Sequence, residues 1–353
     1  MALNLVDTSY SGTYASYFWL PATYAMDSIQ KGILYVQDGI KKTHTIDRLD
    51  FSQPLQPRTA TPAPNGSTFT QDSRSLTPLD IMVYTEFNPR QYEQNFLAEE
   101  LSPTLLAREL PVTAENYMLQ IGLERALEQV ENAIWQGSTT YTAAPGSLGN
   151  GQLVFFDGYI KQFVNDTTIN SNTNGVTTTT TNANLPNGGV AVPLSAAPTS
   201  GSVYNIADAF SALLTLAASN TKALLSRPTR YERMKFLVSI NTEQIWDTFI
   251  TTTQTFKGVN TTDKGINKFK GYEIVPLAGM PDNTIVFCEA IDDTTSALYL
   301  GMNSMEDNNL QLMRLQNNSE LFFLKGLMKY AVQYKFSQEI YLFTTLTTST
   351  FTA

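Results

Sequence analysis

The stretch TAENYMLQIGLERALEQVENAIWQG, residues 113–137, decides the fold because its apolar side chains repeat with the period of a helix. Apolar residues recur every three or four positions, which predicts a long amphipathic helix with one buried side. Three glutamates, Glu124, Glu128 and Glu131, fall on another face and are expected to meet solvent. The predicted buried stripe consists of Leu119, Leu123, Leu127, Val130 and Ile134.

Both ends of this helix carry residues that helix termini favour. Thr113 is predicted to cap the first turn, where Glu115 suits the positive end of the helix dipole. Gly137 stands where a left-handed residue commonly ends a helix. The predicted helix, residues 113–136, would be roughly 36 Å long at about 1.5 Å per residue. We call this element the spine helix.

The composition permits a large core and argues against direct nucleic-acid binding. Of the 353 residues, 42% are hydrophobic and 16% are charged, and the net charge is -9. The longest basic run is Lys41-Lys42, so the sequence contains no cluster suited to gripping phosphate groups. A protein that merely encloses nucleic acid would gain from this balance, because a basic wall would adhere to the polymer.

The sequence carries no sign of secretion or membrane insertion. Cys288 is the single cysteine and lies in an apolar run, so intramolecular disulfides are excluded and a buried core thiol is expected. No run of eighteen apolar residues occurs, and the first residues lack the basic start and apolar core of a signal peptide. We expect a soluble protein made in the cytosol.

The first 78 residues are predicted to form extended segments rather than a packed domain. Residues 1–30 are rich in Tyr, Ser and Thr and form a predicted arm that lies on a neighbour. Residues 31–78 hold two β-prone pieces, 32–36 and 67–70, on either side of a Pro-rich segment, which predicts a projecting hairpin. The arm residues expected to be buried on a neighbour are Tyr14, Tyr17, Phe18 and Trp19.

The rest of the chain mixes helices and strands. An Asn/Thr-rich stretch, residues 165–189, has too few apolar side chains to fold alone and is interpreted as an insertion. Period-two alternation at 329–336 predicts a strand, and residues 340–346 are predicted to form another. The two strands are expected to pair and to pack against the spine helix. The other predicted elements are strand 81–84, a short helix within 151–164, helix 206–224, strand 234–240, helix 241–256, and strands 272–275 and 284–288.

Few residues suggest chemistry. His44 is the only histidine, so a histidine-based triad, a two-histidine metal site and a Cys-His dyad all lack support. The adjacent carboxylates at 99–100 and 292–293 would point apart on a helix or strand and are expected to be solvated. We predict no catalytic residue, no cofactor, no cofactor-binding or metal-binding residue, and no enzyme activity.

Several segments occur in an order that is typical of one family. ENAIWQG ends the spine helix, and MKFLVSINTEQIWDTF, residues 234–249, gives a strand followed by a helix. GYEIVPLAGMPDNTIVFCE, residues 271–289, and KYAVQYKFSQEIYLF, residues 329–343, follow. Each motif is weak alone, but their order and spacing resemble tailed-bacteriophage major capsid proteins with the Hong Kong 97 type fold. The resemblance extends over nearly the whole chain.

The resemblance implies an α+β fold with a defined division of the chain. A peripheral domain would hold the spine helix, 113–136, and an axial domain would surround the five-fold and six-fold centres of a shell. The implied parts are an N-terminal arm at 1–30, an extended loop at 31–78, a peripheral domain at 79–203 that includes the insertion 165–189, an axial domain at 204–310, and return strands of the peripheral domain at 311–353.

The resemblance also implies a function and partners. The chain would be a structural subunit that self-assembles, as pentamers and hexamers, into the icosahedral head shell enclosing packaged double-stranded DNA without sequence-specific binding. A scaffolding protein encoded as a separate chain, a portal and decoration proteins are the other expected partners, and no membrane is involved. The protein would be made in the host bacterial cytoplasm and reside in the virion capsid. Lys31, Lys41 and Lys42 lie in or near the extended loop, but no covalent cross-link between subunits is predicted.

Two other classes of protein remain open at this point. An encapsulin-like compartment shell would share the fold and enclose enzymes instead of DNA. A phage tail or fibre protein would share the Asn-, Thr- and Tyr-rich composition, but it should be mostly β-structure, which the spine helix argues against. An enzyme is a third alternative.

Overall fold

The computed structural model describes residues 8–11, 23–51, 55–61, 69–88, 112–141, 153–170, 175–177, 192–200, 202–219, 228–252, 267–303, 309–315, 318–346 and 351. The helices in these ranges are α1 (Asp27–Gln30), α2 (Val112–Gln136), α3 (Tyr159–Asn165), α4 (Thr167–Asn170), α5 (Ile206–Ser219), α6 (Pro228–Tyr231) and α7 (Ile240–Thr252), with a 3-10 turn at Ser337–Glu339.

Within the described ranges, the strands form two six-stranded sheets and two two-stranded pairs. They are β1 (Thr8–Ser11), β2 (Tyr35–Gln37), β3 (His44–Phe51), β4 (Phe69–Leu76), β5 (Leu79–Phe87), β6 (Gly175–Thr177), β7 (Leu194–Ser195), β8 (Tyr204–Asn205), β9 (Met234–Ser239), β10 (Lys268–Phe269), β11 (Tyr272–Leu277), β12 (Ile285–Glu289), β13 (Leu298–Met302), β14 (Asn309–Leu315), β15 (Asn318–Tyr334) and β16 (Tyr341–Thr344).

The first sheet is built on β15, a strand of 17 residues. Its order is β1-β14-β15-β13-β2, and β5 pairs along the other side of β15. β1 belongs to the predicted arm and pairs antiparallel with β14 of its own chain. Met26 and Ile29, which follow the arm's undescribed part, are buried in the core of the same subunit. This part of the arm therefore does not lie on a neighbour, whereas the four aromatic residues predicted to do so fall outside the described residues.

The spine helix is confirmed, because α2 spans Val112–Gln136. Its predicted stripe is buried, from Leu119 at 3% exposure to Ile134 at 0%. The stripe packs against the first sheet and forms the largest hydrophobic cluster among the described residues. The predicted cap at Thr113 is wrong, because the helix already begins at Val112.

Gly137 ends the spine helix, but not in a left-handed conformation. It is not among the glycines with positive φ, so that prediction is wrong. Its N–H donates to the Ala133 carbonyl at 2.9 Å, and its own carbonyl accepts from the Gly158 N–H at 2.9 Å. A Cβ at this position would lie 2.5 Å from the Ala133 oxygen and would also meet the Phe156 carbonyl. Close backbone approach, rather than backbone twist, is therefore what requires glycine here.

Glu131 is buried at 6% exposure, which corrects the prediction that it faces solvent. The Ser28 hydroxyl donates to its carboxylate, and the Trp135 indole N–H donates to that hydroxyl at 2.9 Å. The spine helix is thus covered by α1 as well as by the first sheet, so its buried face is wider than the apolar stripe. Glu124 and Glu128 are exposed, as predicted.

The burial of Glu131 predicts a specific pH dependence of stability. Burial is the main cause that raises the pKa of Glu131 above 4.5, so the folded state binds its proton more tightly than the unfolded state does. The stability that this protonation provides is present below pH 4.5 and is lost as the pH rises through the raised pKa. Relative to a Glu131→Gln variant, the wild-type free energy of unfolding should therefore fall as the pH rises from 4.5 toward neutrality.

Urea unfolding of both proteins at a series of pH values measures this difference. Glu128→Gln, which removes an exposed glutamate from the same helix, is the matched control for the loss of a carboxylate. If the difference in free energy of unfolding between wild type and Glu131→Gln stays constant with pH, the assignment of a raised pKa is contradicted.

The second sheet has the order β10-β11-β9-β12-β16-β6. Its strands β9, β11 and β12 were predicted from their apolar runs and are confirmed. Alternating residues point to its two faces. Leu237, Val286 and Leu342 pack into the cluster that contains the spine helix, while Phe236 and Phe287 pack under α5 and α7 in a second cluster. The sheet therefore joins the two cores.

Two strands cross the predicted division between domains. β16 was expected beside β15, but it pairs with β12 and β6 in the second sheet. β13 lies within the predicted axial segment 204–310, yet it pairs with β15 and β2 in the first sheet. Short apolar strands look alike in sequence, so their patterns do not reveal which sheet they enter.

The Asn/Thr-rich insertion is not structureless throughout. Ile169 in α4 is fully buried, and β6 adds a parallel strand at the edge of the second sheet, next to β16. Thr residues favour strands, and pairing on one side supplies the backbone hydrogen bonds that the segment cannot make alone. The remainder of 165–189 lies outside the described residues.

The hairpin exists, but its first strand was misplaced. The piece at 32–36 was predicted to form it, whereas β2 pairs with β13 in the first sheet. The hairpin is instead β3 paired antiparallel with β4, from His44 opposite Leu76 to Phe51 opposite Phe69. β3 is rich in charged residues, so apolar patterning did not identify it. Among the described residues, no helix is long and apolar enough to cross a bilayer.

Candidate functional site

The base of the hairpin meets its own subunit at a charged site. Cross-strand partners lie on the same face of a two-stranded ribbon, so Ile46 on β3 and Arg74 on β4 share a face. Arg48, two residues beyond Ile46, lies on this face as well. Ile46 and Leu76 are buried in a small cluster with Tyr299. The base of the hairpin is therefore held against the first sheet by apolar contacts as well as by charged ones.

Arg74 forms the first of two clamps at this base. Its guanidinium lies 4.0 Å from the centroid of the Tyr334 ring, and its Nη2 is 3.0 Å from Asp166 Oδ2. The Tyr334 hydroxyl donates to the same oxygen at 2.5 Å. Burial alone would raise the pKa of Asp166, but the hydrogen bonds from Tyr334, Thr168 N–H and Arg74 outweigh it and hold that pKa below its ordinary value. We call Arg74, Tyr334 and Asp166 the Arg74 clamp.

Arg48 forms the second clamp. Its guanidinium lies 4.0 Å from the centroid of the Phe336 ring, and its Nη2 is 3.7 Å from Glu339 Oε1. The side chains of Arg48 and Glu339 are only 9% and 3% exposed, so both charges are largely removed from water. Stacking on an aromatic face and pairing with a carboxylate are the two interactions that suit a planar guanidinium. We call Arg48, Phe336 and Glu339 the Arg48 clamp.

The Arg48 clamp continues into an ion network beside the second sheet. Arg230 of α6 is 2.7 Å from Glu339 and 3.7 Å from Glu289, and Arg233 is 3.5 Å from Glu289. Burial raises the pKa of Glu289, while the two arginines oppose that shift. Buried carboxylates of this kind depend on their cationic partners, because removing one partner leaves an uncompensated charge.

Two cavities flank the clamps. One of about 530 Å³ lies between the hairpin, α3 and β15, and its wall includes Arg74 and Lys161. The other, of about 330 Å³, lies beside Arg48 and Lys335. Lys161 forms a 2.6 Å ion pair with Asp157. The two clamps attach the hairpin to the rest of its own subunit.

The residues considered for chemistry in the sequence belong to different elements and loops of the fold. His44 begins β3 and is half-buried, while Asp292 and Asp293 are exposed. Lys31 is paired with Asp27 at 2.8 Å and donates to the Pro276 carbonyl at 2.6 Å. Cys288 is fully buried, and burial raises the pKa of its thiol. Glutamates 99 and 100 lie outside the described residues, within which no group of His, Cys, Asp and Glu is arranged to hold a metal ion.

Arg48 and Arg74 were not predicted from the sequence as site residues. One signal was present: in HTIDRLDF, residues 44–51, period-two alternation puts Ile46 and Arg48 on one face and Asp47 on the other. An arginine that shares a face with a buried isoleucine is a candidate for a partly buried ion pair. Its partners, Phe336 and Glu339, are nearly three hundred residues away, and no local pattern links them.

Comparison with known proteins identifies the fold. No protein-family model matches the chain, and no curated protein matches its sequence. Its structure is similar to a chain of the satellite phage P4 procapsid that includes the size determination protein, with a TM-score of 0.59, 6% identity, and coverage of 94% of this chain and 91% of that one.

Two further capsids show the same similarity. The capsid of Myoviridae phage XM1 gives a TM-score of 0.53 at 11% identity, covering 90% of this chain and 92% of that one. The capsid of the native GTA particle gives 0.51 at 12% identity, covering 89% and 88%. The chain thus has the α+β fold of tailed-phage capsid proteins, the Hong Kong 97 type fold, which confirms the fold predicted from the sequence.

Proposed function

We propose that this chain is the major capsid protein of a tailed phage, a structural subunit without enzyme activity that resides in the virion capsid. The observation that carries the proposal is the extent of the similarity to the P4 procapsid chain, which covers 94% of this chain and 91% of that one. Coverage of this extent means that the similarity involves most of the chain and not one part of it. The proposed domains keep the bounds predicted from the sequence, except that β13 belongs to the first sheet and β16 to the second.

The chain's partners in this proposal are first of all its own copies, arranged as pentamers and hexamers. A scaffolding protein during assembly, a portal and decoration proteins are the other proposed partners. The net charge of -9 suits a wall that encloses double-stranded DNA without adhering to it. Interfaces repeated by symmetry would let many identical subunits resist the pressure of the packaged DNA.

Electron microscopy and sedimentation of the purified full chain, with and without a co-expressed scaffolding protein, test this function. Closed particles of uniform size are the expected result. A compact monomer under all conditions would overturn the proposal. The lumen distinguishes the encapsulin-like alternative, since particles produced during phage growth should contain DNA, whereas an enzyme-loaded compartment should contain protein cargo.

The hairpin tip provides a separate prediction. Residues 55–61 are exposed and the clamps hold the base of the hairpin, and in this proposal the tip lies across an adjacent subunit. Deleting residues 53–66 should change the free energy of unfolding of the subunit by only about 1 kcal/mol, because loop-closure entropy varies slowly with length. Closed shells should nevertheless form poorly or not at all.

Unfolding in urea and electron microscopy of the deletion variant measure these two effects. Arg58→Ala, a single change at the exposed tip, is the control for a nonspecific effect of altering the loop. Normal shells from the deletion variant would show that the tip makes no essential contact between subunits.

A further inference from the structure

The short crossover from β15 to β16, residues 335–340, is the point where the two sheets and the hairpin meet. It leaves the first sheet at Tyr334 and enters the second at Tyr341. Phe336 in the crossover carries the Arg48 guanidinium on its ring, and Glu339 in its 3-10 turn holds arginines from two directions. A change in the hairpin's position therefore alters contacts made by the segment that links the two sheets.

The two arginines reach the same atom of Glu339. Arg48 Nη2, from the hairpin, lies 3.7 Å from Oε1, and Arg230 Nη1, from α6, lies 2.7 Å from the same Oε1. The Glu339 side chain is 3% exposed, so water does not compensate its charge. A buried carboxylate that loses one cation is drawn toward the other, because its charge remains uncompensated otherwise.

We propose that Glu339 is a coupling point, at which the hairpin and α6 compete for one carboxylate oxygen and thereby set the hairpin's position on its own subunit. In the described arrangement Arg230 Nη1 has the shorter contact with Oε1, although that contact lacks hydrogen-bond geometry, and Arg48 stacks on Phe336 while it faces the same oxygen. A shift of α6 away from Glu339 would release the oxygen to Arg48 and fix the hairpin more firmly. The device operates within a single subunit and does not depend on the proposed function.

The surroundings of the two arginines give this competition a direction. α6 leads directly into β9, a central strand of the second sheet, and Arg230 also contacts Glu289 at the end of β12. Arg230 therefore has a second carboxylate available when Glu339 turns toward Arg48. The hairpin has its own second attachment, the Arg74 clamp, which keeps its base in place while the Arg48 clamp tightens or loosens.

The position of the hairpin can be measured by electron-spin distance spectroscopy. Spin labels at Arg58→Cys on the exposed tip and Glu128→Cys on the exposed face of the spine helix report the distance across one subunit. Cys288 is fully buried and does not compete for the label. Labelled chain is diluted with unlabelled chain, so that only distances within one subunit contribute, whether or not particles form.

The competition predicts opposite effects for two variants. Glu339→Gln removes the shared charge and should broaden the distance distribution about twofold, because the hairpin loses one charged attachment while its stacking contacts, its buried apolar residues and the Arg74 clamp remain. Arg230→Gln should narrow the distribution, since Glu339 then loses its closer arginine and turns toward Arg48, with Lys335 present in both proteins. Glu232→Gln, an exposed glutamate next to α6, is the matched control and should leave the wild-type distribution unchanged.

Circular dichroism establishes that each variant is folded. If Glu339→Gln does not fold, Arg48→Gln replaces it and should broaden the distribution in the same way. A distribution that broadens in Arg230→Gln would show that α6 supports the hairpin instead of competing with it, and would overturn the proposal. Unchanged distributions in all clamp variants would overturn it equally. Neither result would bear on whether the chain forms shells.

Discussion

Replacing Leu127 with Asp should unfold the subunit and abolish particle formation. Leu127 is 6% exposed in the middle of the spine helix stripe, where the aspartate would have no cationic partner within the predicted apolar face. Losing a buried leucine costs about 2–5 kcal/mol, and burying an unpaired carboxylate adds to that cost. The sum is comparable with the whole stability of a typical domain, about 5–15 kcal/mol.

Soluble yield, circular dichroism and electron microscopy measure the result. Ile121→Asp is the matched control, because it makes the same chemical change on the same helix at a position that is 40% exposed. That variant should fold and should lose far less stability. Normal particles from Leu127→Asp would mean that the buried face of the spine helix has been assigned wrongly.

Replacing Gly137 with Ala should destabilise the subunit by about 3 kcal/mol, the upper range for overpacking a core. The added methyl would meet the carbonyl oxygens of Ala133 and Phe156, and both belong to backbone that cannot rotate away. The end of the spine helix would have to separate from the segment before α3, breaking the 2.9 Å hydrogen bond from Gly158 to Gly137.

Gly122→Ala is the control for this prediction. It lies within the same helix, and its added methyl would meet only the Leu324 Cδ2 atom at 2.8 Å, the end of a side chain that can change rotamer. The gain of about 1 kcal/mol in helix propensity offsets part of that contact. Equal losses of stability in the two variants, measured in urea, would argue against close backbone approach as the reason for Gly137.

The sequence predicted those elements whose residues obey one local period. The stripe from Leu119 to Ile134 was found because a helix with a single buried face repeats every three or four residues. Glu131 was misjudged because α1, which covers it, is about a hundred residues away in the chain. A second covering layer widens the buried face without changing the apolar pattern, so the helix period alone could not reveal it.

The candidate site was harder to predict than the fold. Its arginines lie on β3 and β4, whose exposed faces are polar, and their aromatic and acidic partners lie on the crossover after β15. Such a site forms only after strands distant in sequence have paired, so neither the spacing of residues nor the composition of the chain predicts it. β16 was misplaced for the same reason, because Tyr341 and Leu342 would suit a buried strand in either sheet.

The assignment of β15 and β16 to different sheets constrains when the protein can fold. β15 is the only strand that joins β14, β13 and β5 among the described residues, and β16 is the only described partner of β6. Both strands lie after residue 317, so a chain emerging from the ribosome cannot complete either sheet until nearly all of it has been made. At about 5–20 residues per second, synthesis of such a chain takes on the order of 20–70 s. From the time the spine helix is made until β15 emerges, its apolar stripe lacks that covering strand, and a transiently exposed apolar surface of this kind favours aggregation or chaperone binding.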